Sequence, residues 1–480
     1  MKRMLHSSRR EQSVQLISAP RDQETSPISR SGAYQPLGLL SIASYLLANQ
    51  ICSKVEILDG EFLSVTEIEF RITADIVGIS CTTPSYRNAL RIAQAAKNRG
   101  AVVVLGGPHP SALGKTILKN RPEVDFIVQG DGEESFAKLL LDFPPGEISN
   151  LVYRDCEAIV ENPVRFTSLS NLPLLRRDLL PLEPYIDRYS RQSCSVFGRR
   201  PAAIFSQKGC MWRHRSAGCL FCGRLDRGWR GRPTDQVWRE ISNLVDSCGV
   251  NFIWDVSDSF ISSRDWVLRF AARRPSNLDV SFFLYARSCE LDSEIVDALA
   301  KIGCKEIFIG IESGDDTLLR KANKGTTSDD NLRAASLLAS RGIRMFPCFV
   351  LGLPGESLET LDKTIRHAEL LSTMCEWSTV SASVLVPLPG SRAFSLLRQT
   401  PEGKALLSDA DALDLETLGR MWVNRYCTAS WASIHEAINS ILNLCPNVSS
   451  FFNFQHNFKS LPTSRALNLK ERARHMELNR

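Results

Sequence analysis

Short apolar runs alternate with longer stretches whose apolar positions recur every three to four residues. In the first third the runs are Val14–Ile17, Val55–Leu58, Asp75–Ser80, Ala101–Leu105 and Asp125–Val128. Each is rich in Val or Ile, flanked by Gly, Pro or Asp, and apolar almost throughout, as in strands buried on both faces. The helical period between them predicts helices over Leu37–Ala48, Ser85–Arg99, Ser111–Lys119 and Glu133–Leu141, with Ser85 as an N-cap. Five such alternations predict a doubly wound, Rossmann-like α/β domain over residues 1–142.

A second series begins after a break. Pro144, Pro145, Gly146, Pro163, Pro173, Pro181 and Pro184 interrupt any regular pattern, so residues 143–200 read as a linker. Six strand-then-helix units then follow. Their strands are Ala202–Ser206, Asn251–Val256, Asp279–Ala286, Glu306–Ile311, Arg344–Leu351 and Ser378–Leu385, with helices starting near Thr234, Arg264, Asp292, Asp316/Ser328, Ser357 and Arg392. They predict a partial (β/α)6 barrel over 201–398, with its chemistry at the strand C-termini. Residues 399–480 read as a mostly helical extension. Trp422, Tyr426, Trp431, Cys427 and His435 are expected on one helix as a core stripe. The tail from Arg465 reads as an exposed helix or an unstructured end.

Composition narrows the class. The chain has 480 residues, 43% apolar and 23% charged, with a net charge of +5, so two or three globular domains are expected. The mild basicity does not suggest a nucleic-acid arm. No apolar run approaches the roughly 18 residues of a membrane span, and no secretory signal is evident, so the expected location is cytoplasmic. The 14 cysteines are then expected as thiols or metal ligands.

Two groups of residues carry candidate chemistry. Ser80-Cys81-Thr82-Thr83, Gly106-Gly107-Pro108-His109 and Gly130-Asp131-Gly132-Glu133 all follow predicted strands. One such loop is a tight turn; three at equivalent strand ends favour a ligand site. None has GxGxxG, so a dinucleotide fingerprint is missing. The second group is Cys210, Cys219 and Cys222, spaced C-x8-C-x2-C in a Gly-rich loop. Three thiolates are one short of a closed zinc site, for which His214 is the fourth ligand on offer. They also suit a [4Fe–4S] cluster with one open iron. Spacing alone leaves both open.

The first domain resembles the cobalamin-binding domain that precedes many radical S-adenosylmethionine (SAM) enzymes. The match rests on Tyr34-Gln35-Pro36-Leu37-Gly38, Val77-Gly78-Ile79-Ser80, VVLGGPHPSAL and VDFIVQGDGEESF. It implies cobalamin contacts from Pro36, Leu37, Gly38, Ser80, Thr82, Thr83, Gly106, Gly107, Pro108, His109, Gly130, Gly132 and Glu133. Asp59-Gly60-Glu61 stands where another branch has DxHxxG, so no cobalt-ligating His comes from that motif. His109, inside GGPH, reads first as structural.

Residues 202–398 resemble radical SAM enzymes through GIESG at 310–314, Lys324-Gly325, GLPGES at 352–357 and PLPGS at 387–391, downstream of the cysteine loop. The usual loop is CxxxCxxC; here the first spacer is five residues longer. The resemblance implies that Cys210, Cys219 and Cys222 hold a [4Fe–4S] cluster, with Phe221 packed near the SAM adenine. Asp255 and Asp258 stand where the family has Gly-Gly-Glu and are assigned the SAM amino group. Arg287 is assigned its carboxylate, Glu312 its ribose, and Gly352 and Leu353 its adenine.

The implied activity is that of a class B radical SAM methyltransferase-like enzyme. It would methylate an unactivated carbon of a small molecule via methylcobalamin, with an electron donor such as flavodoxin or ferredoxin. Rearrangement or cyclisation with the same cofactors is the alternative. A zinc-binding, non-enzymatic module ranks last, because it leaves GIESG and GLPGES unexplained. No catalytic residue is assigned.

Arg191, Arg199, Arg200, Lys208, Arg213, Arg215, Arg224, Arg227, Arg230 and Arg232 face one acid, Asp226, within 191–232. They read first as counter-charge for thiolates and anionic cofactors, second as a site for an anionic substrate, third as a nucleic-acid surface. Cys52, Cys156, Cys248, Cys289, Cys304 and Cys348 read as small buried apolar residues, and Cys81 as facing either the core or the corrin.

Overall fold

The computed structural model describes residues 13–21, 34–192, 200–226, 228–408 and 410–445. Arg199, Arg227 and the tail from Arg465 lie outside these residues.

The first sheet has seven strands in the order β2-β1-β3-β4-β5-β6-β7. Strands β1 (Val14–Ser18), β2 (Val55–Asp59), β3 (Ile76–Ser80), β4 (Val102–Gly106) and β5 (Phe126–Val128) are parallel. Helices at Leu37–Ala48, Val65–Arg71, Tyr86–Asn98, Pro108–Asn120 and Glu133–Leu140 connect them. The strand order reverses beside β1, where such sheets open a crevice.

Several expectations change. The Val65–Arg71 helix was not anticipated; it is short and is started by a Ser64/Glu67 capping box. Ser85 does not cap the next helix with its side chain. Its hydroxyl accepts from the Thr82 amide and closes a 3-10 turn over Thr83–Ser85. The third expected helix starts at Pro108 rather than Ser111, because proline suits a first helical turn.

The segment read as a linker carries two strands of this sheet, β6 (Leu151–Asp155), antiparallel to β5, and β7 (Ala158–Glu161), antiparallel to β6. β7 is an edge strand with no buried residue, so it lacks the apolar run that marks the others. Further on, the Arg177 guanidinium donates to Gln35 at 2.6 Å, the Ala203 carbonyl at 2.8 Å and Glu240 at 2.7 Å. One linker side chain thus ties the two sheets together.

The second sheet has six parallel strands in the order β8-β11-β12-β13-β14-β15. They are β8 (Pro201–Ile204), β11 (Phe252–Asp255), β12 (Ser281–Ala286), β13 (Cys304–Glu312), β14 (Arg344–Leu351) and β15 (Ser381–Val384), forming an open half-barrel. A two-stranded hairpin, β9 (Gln207–Cys210) and β10 (Gly228–Gly231), projects from it. Aliphatic residues fill the space under the helices. A separate aromatic cluster unites Tyr189, Phe252, Trp254, Phe283 and Phe346, with Tyr34, Tyr285 and Phe308 packed against it. Tyr34 comes from the first domain: its ring centroid lies 4.7 Å from that of Trp254, and its hydroxyl lies 3.3 Å from that of Tyr285.

The C-terminal segment is helical, but the aromatic stripe is not on one helix. Leu415–Tyr426 and Trp431–Leu442 are separate. Between them the amides of Thr428 and Ala429 donate to the Glu356 carbonyl, which draws the backbone out of the helical path. Trp422 is fully buried, as a core residue should be. Among the described residues, no helix is long and apolar enough to cross a membrane.

Candidate active site

The cysteine loop starts where β9 ends, at Cys210. A short helix, Met211–Arg215, fills most of the extended spacer. The loop then docks on one turn, Ala322–Gly325. The Leu220 amide donates to the Ala322 carbonyl at 2.8 Å, and the Trp212 indole N–H to the Asn323 carbonyl at 2.8 Å. Asn323 Nδ2 returns a hydrogen bond to the Gly218 carbonyl at 2.8 Å. Gly325 has φ +65°, and a side chain there would run into the Trp212 ring. These contacts hold the long spacer in one place.

Cys210, Cys219 and Cys222 border one cavity of about 250 Å³ with Phe221, Asp258, Arg287, Glu312, Lys324, Tyr285 and Phe308. It lies at the strand C-termini, as the barrel predicts. Burial pushes the Cys210 thiol up. Glu312 closes β13 at a register shift and has φ +64°, a conformation unusual for a side-chain-bearing residue. Its carboxylate accepts from Lys324 Nζ at 2.7 Å, and both side chains are buried. A Cβ on Gly310 would collide with this pair, so glycine leaves the room it needs. Burial alone would lower the Lys324 ammonium; Glu312 and Cys219 outweigh it and hold it raised.

The expected SAM residues divide. Phe221, Asp258, Arg287 and Glu312 line the cavity. Asp258 accepts from the Gly209 amide at 2.9 Å and pairs with Arg224 at 2.8 Å. Asp255 does not line it. It is fully buried beneath, where Ser206 and Ser257 donate to Oδ1, and Oδ2 has no partner. Burial raises its carboxyl despite those bonds. Arg287 is engaged elsewhere: it donates to the Lys324 carbonyl and points Nη1 at Cys219 Sγ, 3.8 Å away. Gly352 and Leu353 are not open to the cavity. The Gly352 amide donates to Glu356 Oε2 at 3.0 Å, its carbonyl accepts from Trp422 Nε1 at 2.9 Å, and Leu353 is buried.

A second cavity, about 140 Å³, sits at the carboxyl ends of β1, β3, β4 and β5. Of the expected cobalamin residues, Gly38, Ser80, Gly106, Gly107, Gly130, Gly132 and Glu133 line it. Pro36, Leu37, Thr82, Thr83, Pro108 and His109 do not. His109 is buried behind, between Thr83 Oγ1 at 3.1 Å and the Asp411 carbonyl at 2.8 Å. A carbonyl only accepts, so Nε2 carries the proton and Nδ1 accepts from Thr83. Burial lowers this imidazole to about 4. Cys81 is also buried there, in the core and away from the cavity.

A slot with mostly apolar walls and a glycine floor fits a flat, bulky tail. Cβ atoms on Gly78 and Gly132 would meet Leu16, Phe136 and Ile42 at 2.8–3.0 Å, so these glycines keep it open. The thiol-lined cavity fits an iron–sulfur cluster: the donors are three thiols, with cationic side chains beside them.

Lys208 and Arg230 stand in the basic run and Asp131 in a candidate loop, but nothing in the sequence indicates that they pair and so join the two cavities. Lys208 lines the second cavity and pairs with Asp131 at 2.8 Å, two residues before Cys210. Arg230 pairs with Asp131 at 2.6 Å and with Asp226. Burial would raise the Asp131 carboxyl; Lys208 and Arg230 outweigh it and hold it low. In the sequence Lys324 stands out only as part of the Lys324-Gly325 motif, and Trp212 and Asn323 have no signature of their own. Within the basic run, Arg232 pairs with Glu240 at 2.5 Å, and His214 and Arg215 are exposed. Cys156 is exposed, and Cys248, Cys289 and Cys348 are half-buried, which corrects the expectation for them. Among the described residues, no three His, Cys, Asp or Glu side chains converge on a single-ion position.

Comparison with known proteins agrees with this layout. The B12 binding domain model matches residues 28–140, and the radical SAM superfamily model matches residues 204–368. An uncharacterized methyltransferase of Pyrococcus horikoshii is 27% identical over 374 residues, 74% of this chain and 77% of that protein. The anaerobic magnesium-protoporphyrin IX monomethyl ester cyclase of Rubrivivax gelatinosus is 27% identical over 76% of this chain and 67% of that one. The cobalamin-dependent SAM radical enzyme OxsB, solved with aqua-cobalamin and SAM bound, superposes with a TM-score of 0.69 at 17% identity, covering 89% of this chain and 65% of that one. The radical SAM methyltransferase TsrM of Kitasatospora setae, solved with cobalamin and a [4Fe–4S] cluster bound, gives 0.61 at 18% identity, covering 81% and 76%. The chain belongs to the radical SAM enzymes that carry a cobalamin-binding domain ahead of the barrel.

Proposed function

We propose that the protein is a cytoplasmic methyltransferase that transfers a methyl group to an unactivated carbon of a small molecule. In this reading a [4Fe–4S] cluster supplies the electron that splits SAM into methionine and a 5′-deoxyadenosyl radical, and methylcobalamin supplies the methyl group. Cys210, Cys219 and Cys222 would hold the cluster. Asp258 offers a carboxylate to the SAM amino group, and Glu312, steadied by Lys324, accepts from its ribose hydroxyls. Tyr285 and Phe308 wall the cavity toward the barrel interior and keep water from the reacting carbon. The loops after β3, β4 and β5 would hold the cobalamin tail. Flavodoxin or ferredoxin would deliver the electron.

The observation that carries this reading is the joining of the two cavities: Asp131, beside one, is paired with Lys208 on the strand that ends in Cys210. A second reading, ring closure without net methyl transfer, has support in the cyclase relative, which matches at the same identity as the methyltransferase. The test is mass spectrometry of SAM products from anaerobically reconstituted protein with cobalamin and reductant, supplied with candidate acceptors. 5′-Deoxyadenosine together with S-adenosylhomocysteine, both lost in the triple Cys210/Cys219/Cys222→Ala variant, is expected. 5′-Deoxyadenosine alone favours ring closure. Neither product, in protein that binds zinc and no iron, overturns both.

A further inference from the structure

The extended spacer between Cys210 and Cys219 places two side chains, Arg213 and Trp212, against the cysteine cluster and its neighbour Arg287. Arg213, on the Met211–Arg215 helix, donates through Nη1 to the Cys222 carbonyl at 3.2 Å and to Cys222 Sγ at 3.3 Å. Trp212, its neighbour, lies under Arg287, with the guanidinium carbon 5.1 Å from the ring centroid. The Lys324 carbonyl holds that same guanidinium, whose Nη1 faces Cys219 Sγ at 3.8 Å. Two of the three thiols therefore have a permanent cation beside them. The Arg213 Nε–H is buried without a hydrogen-bond partner, and the Arg287 Nε–H makes no hydrogen bond and faces Glu290 Oε1 at 3.8 Å, so the Nη groups of both guanidiniums stay turned to the sulfurs. Arg287 is only 6% exposed, where water screens its charge weakly.

We propose that the spacer is an electrostatic device: Arg213, together with Arg287 held by Trp212, raises the reduction potential of a cluster on these cysteines. The argument is one of charge. A cluster on three thiolates is anionic and gains a further negative charge on reduction. Fixed cations and N–H donors at its sulfur ligands favour the reduced form. The step concerned is transfer of one electron from a low-potential reductant to the cluster; no covalent bond changes. This assigns Arg287 to the sulfur side, in place of the SAM carboxylate. Arg213 and Trp212 act as positioning and tuning residues.

The inference rests on the cluster assignment above. The test is an EPR-monitored redox titration of anaerobically reconstituted full-length protein, using dithionite and mediators, with iron content measured alongside. Arg213→Gln is expected to move the midpoint negative by about 59 mV, which is a tenfold loss in the one-electron reduction equilibrium. Trp212→Ala shifts it in the same direction, and Arg213→Lys stays between Gln and wild type. Wild-type protein with no [4Fe–4S] signal would defeat the cluster assignment itself. A normal wild-type signal with the same midpoint in all variants overturns only this inference. So does an Arg213→Lys shift as large as that of Gln, since shape and not charge would then matter. Loss of iron from all three variants overturns it as well, by assigning the spacer to cluster assembly.

Discussion

Asp411, in the C-terminal segment, accepts two hydrogen bonds from Arg121 of the first domain, at 2.5 and 3.0 Å. Tyr86 donates to the same carboxylate at 2.9 Å. Burial works against the Asp411 charge, and the Arg121 and Tyr86 bonds outweigh it, so its carboxyl is held below the usual range. Asp411→Ala should cost about 2–3 kcal/mol, because a charged and partly buried partner is left behind. Urea unfolding followed by tryptophan fluorescence reads the loss. Arg121→Met combined with Asp411→Leu should recover part of it, since both charges are then gone.

His109 packs against Tyr86 with ring centroids 4.2 Å apart, and burial lowers its imidazole to about 4 in the folded state. Its folded value lies below its unfolded value of about 6.5. The stability it contributes is complete above pH 6.5 and is lost as pH falls from there toward 4, by about 3 kcal/mol in all. Asp411, whose carboxyl is depressed, adds its own loss at lower pH. A melting curve measured every half pH unit should fall across that window. His109→Gln should flatten the upper part of the fall and leave the lower part.

Lys324→Met strands the buried Glu312 carboxylate and should cost about 3–5 kcal/mol locally. The Ala322–Gly325 turn also supports the cysteine loop, so SAM binding should drop at least about tenfold, or 1.4 kcal/mol. Equilibrium dialysis against labelled SAM measures it. Glu312→Gln, which keeps a hydrogen-bonding side chain beside Lys324, should lose less.

Gly78→Val places methyl groups where Leu16 and Phe136 already sit on the floor of the second cavity. Overpacking of about 1–3 kcal/mol is expected. The protein should still reconstitute its iron while retaining at least about tenfold less cobalamin after desalting, read from the corrin absorbance. Equal cobalamin content would show that the tail lies elsewhere.

Sequence alone located the strands whose faces are both buried, because their apolar runs leave little choice. It located the cysteine loop as well, because thiol spacing is unusual. It missed β6, whose buried run is only Leu151–Tyr153 amid linker prolines, and β7, whose exposed residues carry no pattern, and it placed Trp422 and Trp431 on one helix that Glu356 divides. The site was legible where a side chain acts on its own, as at Cys219, Asp258 or Glu312. It was not legible where contact with a distant segment decides. Gly352 was expected to face a ligand, yet its carbonyl is taken by Trp422, 70 residues on. Arg287 was expected to meet a carboxylate, yet its orientation depends on Trp212 and Lys324, and neither dependence is written locally.

The contact between Asp411 and Arg121 spans 290 residues. A ribosome adding about 5–20 residues per second needs roughly 15–60 s to cover that interval. For most of it, once β7 has been made, the emerging first domain has its sheet complete but lacks the partner of Tyr86, His109 and Arg121. That face remains an open polar patch until Asp411 has been made. The cobalamin-binding domain, made before the barrel, is thus sealed only after the barrel is complete, and a chain truncated before Asp411 would present this patch to chaperones and proteases.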